Sequence, residues 1–180
     1  MAHGRQQDFC KKAKQRFPDY FKNVSVLDIG SLDINGNNHY LFEQYSYTGL
    51  DLASGRNVSY IGMAHLFHSI QQFDLIVSTE CFEHDQYWQL SLKNICDNLL
   101  KQGGFFLMTC ATTGRPEHGT RRTTVSDSPF TTTIDGWGDY YQNLTEADFR
   151  SVIDFNAVFD FYGFSTDEES HDLYFWGIKK

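Results

Sequence analysis

The chain has 180 residues, of which 15 are Lys or Arg and 23 are Asp or Glu, so its formal net charge is −8. This length favours one domain and leaves no room for a separate substrate domain. The negative charge disfavours a general electrostatic grip on nucleic acid or on anionic lipid. We therefore expect residues 1–180 to form a single folded domain that has neither nucleic acid nor membrane as a partner.

No apolar run approaches the roughly 18 residues that a membrane span needs, and the N-terminus lacks the apolar core of a signal peptide. These features predict a cytoplasmic protein. The cysteines are widely spaced and form no Cys-x-x-Cys pair, so we expect them to be reduced and mostly buried.

The predicted elements begin with a helical segment in residues 1–22, because Phe9, Ala13 and Phe17 recur at every fourth position. Short apolar runs then predict five strands, at residues 25–30, 47–52, 57–62, 73–79 and 105–111. Short helices are expected at residues 39–45 and 64–70, and a longer one at 87–101, stopped by Gly103 and Gly104. Apolar strands that alternate with helices predict an α/β fold with a parallel sheet covered on both faces.

A loop without periodicity, residues 112–144, follows the fifth predicted strand. A loop of this length in a small domain is usually functional or disordered. Thr145 then starts a predicted helix with a capping-box pattern. Two aromatic runs, residues 157–165 and 172–180, predict an antiparallel hairpin at the end of the chain.

Residues that follow the strands are the candidates for a site, because ligands of open parallel sheets bind beyond the carboxyl ends of the strands. Gly30 ends the first strand and lets the backbone approach a ligand, and Asp51 stands 21 positions later at the end of the second. A carboxylate at that place can accept hydrogen bonds from both hydroxyls of a ribose. The spacing indicates a cofactor that contains adenosine. His65 and His68 lack a third ligand at a suitable spacing, so we expect no metal site.

Four motifs in order carry a resemblance to a known family: VLDIG, GLDL, FDLIVSTECFEH and LLKQGGFFLMT. With these motifs the chain resembles the class I S-adenosylmethionine (SAM)-dependent methyltransferases, in particular the small stand-alone ones. The resemblance covers residues 24–111 by motif and extends to the end of the chain through the hairpin. It implies a Rossmann-like three-layer sandwich, whose mostly parallel seven-stranded sheet has the order 3-2-1-4-5-7-6 and ends in the antiparallel hairpin.

The resemblance also implies SAM as the cofactor and a set of residues that hold it. Those near the methionine portion would be Asp28, Gly30, Ser31, Asp33, Thr79 and Glu80. Asp51 and Leu52 would contact the ribose, and Ala64 and His65 would border the adenine. Leu32 stands where the family usually has a second glycine of the turn.

The 112–144 loop is expected to be a lid over a small-molecule acceptor, which we expect to be anionic or sugar-like. Arginine forks suit carboxylates or phosphates, and aromatic rings suit flat or sugar-like faces. The candidate acceptor-binding residues are Arg115, His118, Arg121, Arg122, Tyr140 and Tyr141. For an O–H or N–H acceptor, His84 and His118 are the candidate proton acceptors, and Glu80 could orient either of them.

Two other classes of protein share part of this pattern. A catalytically silent SAM-binding module would have every cofactor residue, so that turnover alone separates it from an enzyme. A nicotinamide-dependent reductase would share Gly30 and Asp51 but would have glycine at position 32.

Overall fold

A mixed sheet of seven strands organises the fold, described for residues 4–180 in a computed structural model. The strands are β1 (Ser25–Ile29), β2 (Ser46–Asp51), β3 (Tyr60–Ile61), β4 (Phe73–Thr79), β5 (Leu100–Ala111), β6 (Phe159–Asp167) and β7 (Asp172–Lys179). Their order is β3-β2-β1-β4-β5-β7-β6, with β1 to β5 parallel and β7 antiparallel to both of its neighbours. The order and the terminal hairpin confirm the expected topology.

Four α-helices pack on this sheet: α1 (Gly4–Arg16), α2 (Trp88–Asn94), α3 (Glu146–Val152) and α4 (Phe155–Val158). Helix α1 confirms the predicted N-terminal helix, of which residues 1–3 lie outside the described part of the chain. The capping box of α3 is also confirmed, since Thr145 and Asp148 each accept a hydrogen bond from the other's backbone N–H. Between residues 4 and 180, no helix has the length and apolar character needed to cross a membrane.

Alternate residues of each central strand face opposite sides of the sheet, because side chains alternate along a strand. Val26, Val77 and Leu107 belong to one core cluster, which packs against α1. Leu27, Ile76, Phe106 and their neighbours belong to the other cluster, which packs against α2, α3 and α4. The result is the expected three-layer sandwich.

Several boundaries differ from the sequence prediction. The predicted short helices at 39–45 and 64–70 are single 3₁₀ turns, His39–Leu41 and Ala64–Leu66, because segments this short cannot offset the cost of starting an α-helix. The longer helix ends in a π-helical turn, Ile95–Leu99, and β5 starts at Leu100 rather than 105. Gly103 and Gly104 therefore lie inside a strand and do not stop the helix, and Gly103 has a φ of +71°.

Candidate functional site

Two adjoining clefts open at the carboxyl ends of β1, β2 and β4, where the expected site lies. The apolar cleft encloses about 650 Å³ with its open mouth included, and the polar cleft about 460 Å³. The apolar cleft is lined by Leu50, Leu52, Ala64, Pro129, Phe130 and Trp137, among others. The polar cleft is lined by Asp28, Ser31, Asn38 and Thr79, among others. Gly30, Leu32 and Glu80 border both, so the clefts form one continuous groove.

Asp51 lines the apolar cleft from the end of β2, as the sequence predicts. Its carboxylate accepts hydrogen bonds from the backbone N–H groups of Leu32, at 2.9 Å, and of Leu52, at 2.7 Å. These bonds join the loop after β1 to the end of β2. Burial raises the pKa of Asp51 despite the two bonds. Each carboxylate oxygen has a second lone pair, so the group can still accept hydrogen bonds from a ligand.

Asp28 forms the floor of the polar cleft and is 1% exposed. Its Oδ2 accepts hydrogen bonds from the hydroxyl of Tyr47, at 2.6 Å, and from the side-chain amide of Asn38, at 3.0 Å. The amide of Asn38 also reaches Oγ1 of Thr79, at 3.2 Å. Oδ1 of Asp28 has no hydrogen-bond partner within residues 4–180. Burial is the main cause that raises the pKa of Asp28 to about 6, and the two side-chain bonds act in the opposite direction.

Sequence reasoning missed Tyr47 and Asn38, although both fix the orientation of Asp28. Tyr47 stands two positions before Gly49, which is the register partner of Asp28 in the parallel pair β1 and β2. Asn38 lies in the loop after β1, where most residues are polar, so the sequence does not single it out as a functional residue. The pairing of the strands, rather than any motif, brings these residues to the carboxylate.

The loops after β1 and β4 touch closely at Gly30. Gly30 has a φ of +79°, and a Cβ at this position would lie 2.6 Å from Cβ of Cys81. Glycine is therefore required both by the backbone conformation and by the space. Glu80, next to Cys81, has a φ of +53°, which is a strained value for a residue with a side chain. Its carboxylate accepts a hydrogen bond from Oγ1 of Thr109, at 2.9 Å.

Two of the predicted cofactor residues lie outside the lining of both clefts. Asp33 accepts a hydrogen bond from the backbone N–H of Gly36, at 2.9 Å, and pairs with Arg56, at 3.1 Å. The ring of His65 packs on that of Tyr87, with 4.5 Å between the centroids. Both residues support loops that border the groove, and their contact with a cofactor stays a prediction.

A cluster of three side chains, Glu83, His84 and His118, lies beside the groove. Glu83 and His84 follow β4, and His118 follows β5, which is the neighbouring strand of the sheet. One potential ligand atom from each residue lies within 4.8 Å of the other two. His84 also lines the apolar cleft. Within residues 4–180 this is the one set of three or more His, Cys, Asp or Glu side chains close enough to share a metal ion.

Burial determines the protonation of this cluster. It raises the pKa of Glu83 to about 8, and the charge of Glu80 adds to that effect. It lowers the pKa of His84 to about 3, with His118 acting in the same direction, and it also lowers the pKa of His118. Burial thus favours the neutral form of all three groups. The sequence suggested histidines of near-neutral pKa, and burial moves both of them away from that value.

The loop 112–144 covers the apolar cleft. Pro129, Phe130 and Trp137 line that cleft opposite Asp51 and Leu52, and Trp137 is buried. None of these three was among the sequence candidates. The segment that contains them has no periodic pattern from which this contact could be predicted, because the contact depends on the path of the loop.

The arginines of this loop bond within the protein. Arg115 pairs with the buried carboxylate of Asp172, at 3.2 Å, and Arg122 pairs with Glu117, at 2.9 Å. The Nε–H of Arg121 donates to a backbone carbonyl at 3.3 Å. Arg115, Arg121 and Arg122 do not line either cleft, and their contact with an acceptor stays a prediction.

The two loop tyrosines lie in different surroundings. Tyr141 packs against the cluster, with its ring centroid 5.0 Å from that of His118 and 5.5 Å from that of His84. The hydroxyl of Tyr140 donates instead to the side chain of Gln142, at 3.0 Å. Tyr141 thus lies beside the cluster, and the contact of either tyrosine with an acceptor stays a prediction.

Comparison with solved structures defines the class of fold. The chain is similar to the Burkholderia thailandensis 1,6-didemethyltoxoflavin-N1-methyltransferase, solved with S-adenosylhomocysteine (SAH), with a TM-score of 0.63 and 13% identity over 97% of this chain and 78% of that one. A SAM-dependent methyltransferase from Clostridium acetobutylicum gives a TM-score of 0.63 and 9% identity over 97% and 92% of the two chains. The N-methyltransferase NodS from Bradyrhizobium japonicum, also with SAH, gives a TM-score of 0.57 and 14% identity over 95% and 87% of the two chains.

No family model matches the sequence, and no curated protein matches it significantly. The likeness therefore concerns the fold, and it agrees with the strand order and with the position of the groove. The chain has the class I SAM-dependent methyltransferase fold, as the resemblance implied.

Proposed function

We propose that this chain binds SAM along the two clefts and transfers its methyl group to an oxygen or nitrogen atom of a small molecule. The observation that carries the proposal is the placement of two carboxylates, one buried and one half-buried, along one groove of a methyltransferase fold. Asp51 lines its apolar part and Asp28 its polar part. The apolar cleft suits the adenine ring of SAM with its ribose diol, and the polar cleft suits its charged amino acid.

In this proposal the apolar cleft takes the adenosine. Leu52, Ala64 and Phe130 would border the adenine, and Asp51 would accept hydrogen bonds from the ribose hydroxyls. The polar cleft takes the methionine portion. Oδ1 of Asp28 would accept a hydrogen bond from its ammonium group, because this buried oxygen has no partner within residues 4–180. Ser31 and Thr79 complete that side of the groove.

SAM supplies a methyl group activated by a positively charged sulfonium. The protein must then align an acceptor atom and receive the proton that this atom loses. His84 lines the groove, and the rings of His118 and Tyr141 pack against His84, so the acceptor would enter at this side. Glu80, His84 and His118 are the candidates for moving or orienting that proton, and the lowered pKa of both histidines makes them weak bases on their own.

The loop 112–144 would close the groove over both ligands as a lid within a single methyltransferase domain. Pro129, Phe130 and Trp137 already cover the apolar cleft, so the loop would exclude water from the cofactor as well as contact the acceptor. Acceptor specificity would come from this loop and from α1. An anionic or sugar-like acceptor remains the expectation from the loop's arginines and tyrosines.

Titration calorimetry with SAM, SAH and a nicotinamide dinucleotide tests the cofactor. We expect SAM and SAH to bind and the dinucleotide not to bind; binding of the dinucleotide alone would overturn the proposal. A screen with SAM labelled in its methyl group, against small-molecule extracts, then tests turnover. SAM binding without methyl transfer to any acceptor would point to a silent SAM-binding module.

A further inference from the structure

Four buried atoms that could bind a ligand converge at the cluster of Glu83, His84 and His118. Oε2 of Glu83, both ring nitrogens of His84 and Nε2 of His118 have no hydrogen-bond partner within residues 4–180. Glu83 is 0% exposed and His84 is 5% exposed. Buried polar side-chain atoms nearly always have a partner, and a buried charge is normally paired or bound to a metal. Three side chains that each keep an unsatisfied buried atom at one place therefore indicate a ligand, which would take one of the two ring nitrogens of His84.

We propose that Glu83, His84 and His118 form a binding site for a divalent transition-metal ion. Two imidazoles and one carboxylate are a ligand set that suits Zn²⁺ and also Fe²⁺ or Mn²⁺. Mg²⁺ and Ca²⁺ prefer sites made of oxygen ligands alone. Zn²⁺ is bound by this set in catalytic sites that keep one coordination position open, and it has no redox chemistry, so it is the ion to test first.

The spacing of the three side chains is close to that of a bound state. Ligand atoms at 2.0–2.2 Å from one tetrahedral ion lie about 3.3–3.6 Å apart. The ligand atoms of the cluster lie within 4.8 Å of one another, so side-chain movements of about 1 Å would bring them onto an ion. Glu83 and His84 follow β4 closely, and His118 lies in the loop that follows the adjacent strand β5, so the strand pairing brings the two sides of the site together.

Gly119 is a second feature of the sequence that supports this geometry. It follows His118 with a φ of +67°, and a Cβ there would lie 2.6 Å from Cε1 of His84. Only glycine lets the lid loop pass this close to His84. The loop thereby places His118 beside His84, with 5.0 Å between the ring centroids.

The surrounding charges favour a cation. Glu83 would contribute a negative charge when it binds the ion, and Glu80 lies near enough to affect its pKa. Among residues 4–180, Arg115 is a nearby cation, and its guanidinium is held by the carbonyl of Ser170, at 2.6 Å, and by Asp172. The ion would thus compensate the burial of the Glu83 carboxylate, which the described residues leave only partly satisfied.

The position of the ion indicates a role in activating the acceptor, and this inference rests on the proposed function. Because His84 lines the apolar cleft, an open coordination position would face the acceptor side of the groove. A divalent ion that binds an acceptor hydroxyl lowers the pKa of that hydroxyl and orients its oxygen. The acceptor would then be a molecule with a hydroxyl or carboxylate able to bind the metal.

The test is metal binding by the full chain, measured without any activity assay. After chelator treatment and reloading with Zn²⁺, we expect metal analysis to find one ion per wild-type chain after dialysis. With Co²⁺ as the probe, we expect ligand-field absorption bands in the visible range. Glu83→Gln and His118→Ala should each weaken Zn²⁺ binding by at least about tenfold and remove the Co²⁺ bands. His68→Ala, which changes an exposed histidine outside the cluster, should bind as the wild type does.

The variants separate the possible results. Circular dichroism checks that each is folded, and His118→Ala, in a loop, keeps the test available if Glu83→Gln does not fold. No Zn²⁺ binding by the wild type, or equal binding by folded His118→Ala, would overturn the metal site. SAM titration of the same samples keeps the two proposals apart: SAM binding without metal contradicts only the metal site, and metal binding without SAM contradicts only the proposed cofactor.

Discussion

The hydroxyl of Tyr47 donates a hydrogen bond of 2.6 Å to Oδ2 of Asp28, across the pair of strands β1 and β2. The same hydroxyl accepts a hydrogen bond from the side-chain amide of Asn57, at 2.7 Å. Asn57 in turn contacts His39, at 2.6 Å. This chain of bonds joins the loops after β1 and β2 to the floor of the polar cleft.

Tyr47→Phe should lower the free energy of unfolding by about 2 kcal/mol at neutral pH, because a hydrogen bond to a buried carboxylate is lost. Urea denaturation measures the change. Tyr20→Phe is the matched control, since the hydroxyl of Tyr20 has no hydrogen bond within residues 4–180 and its removal should leave stability nearly unchanged. Equal stability of wild type and Tyr47→Phe would mean that the bond contributes nothing in solution.

The titration of Asp28 should make the free energy of unfolding depend on pH. Its pKa is about 6 in the folded chain, above the ordinary value of 3.8. Between these two values the folded chain keeps a proton that the unfolded chain has lost, so the free energy of unfolding falls as pH rises. The fall from Asp28 is at most about 3 kcal/mol.

Asp28→Asn removes this titration. We expect its stability, relative to that of the wild type, to increase as pH rises from about 4 to about 6, and to stay level above that range. Denaturation at a series of pH values gives the difference curve. A flat difference curve would show that Asp28 titrates at the same pH in both states.

Asp51→Ala should weaken SAM binding by on the order of 2 kcal/mol, or about 30-fold in Kd, because two hydrogen bonds to the ribose are lost. Calorimetry with SAM measures the loss. Asp160→Ala, which removes an exposed carboxylate from β6, is the control and should bind SAM normally. Unchanged affinity in Asp51→Ala would place the ribose elsewhere in the groove.

Arg115→Met should lower the free energy of unfolding by about 3 kcal/mol, because the carboxylate of Asp172 is fully buried and loses its cationic partner. Arg122→Met removes an ion pair with the exposed Glu117, and its effect on stability should be much smaller. Thermal and urea denaturation of both variants measure the contrast. Similar losses of stability in the two variants would show that burial does not determine how much each ion pair stabilises the fold.

Replacing Arg121 and Arg122 by Ala should raise the KM for the acceptor and leave SAM affinity nearly intact. The two side chains are exposed on the lid loop and lie outside both clefts. The assay needs the acceptor found in the methyl-transfer screen. If KM and SAM affinity worsen together, the arginines hold the lid loop in place rather than the acceptor.

The sequence by itself determined the α/β class and the place of the groove. Periodicity located most of the strands, since an apolar run such as residues 73–79 can only be a buried strand or a short buried helix segment. The strand order came from the family that the ordered motifs resemble. Asp51 was found because it stands at the carboxyl end of a strand, and Asp28 was implied by the same resemblance.

Only the tertiary structure decided the contacts that cross between elements. Tyr47 and Asn38 reach Asp28 through strand register and loop path, which local patterns do not encode. Glu83 and His118 lie 35 positions apart in the chain and meet because β4 and β5 are adjacent. Burial then sets their protonation, since pKa values depend on the surroundings of a group rather than on its neighbours in sequence. The sequence search for metal ligands considered spacing along the chain, and the candidate cluster forms only through space.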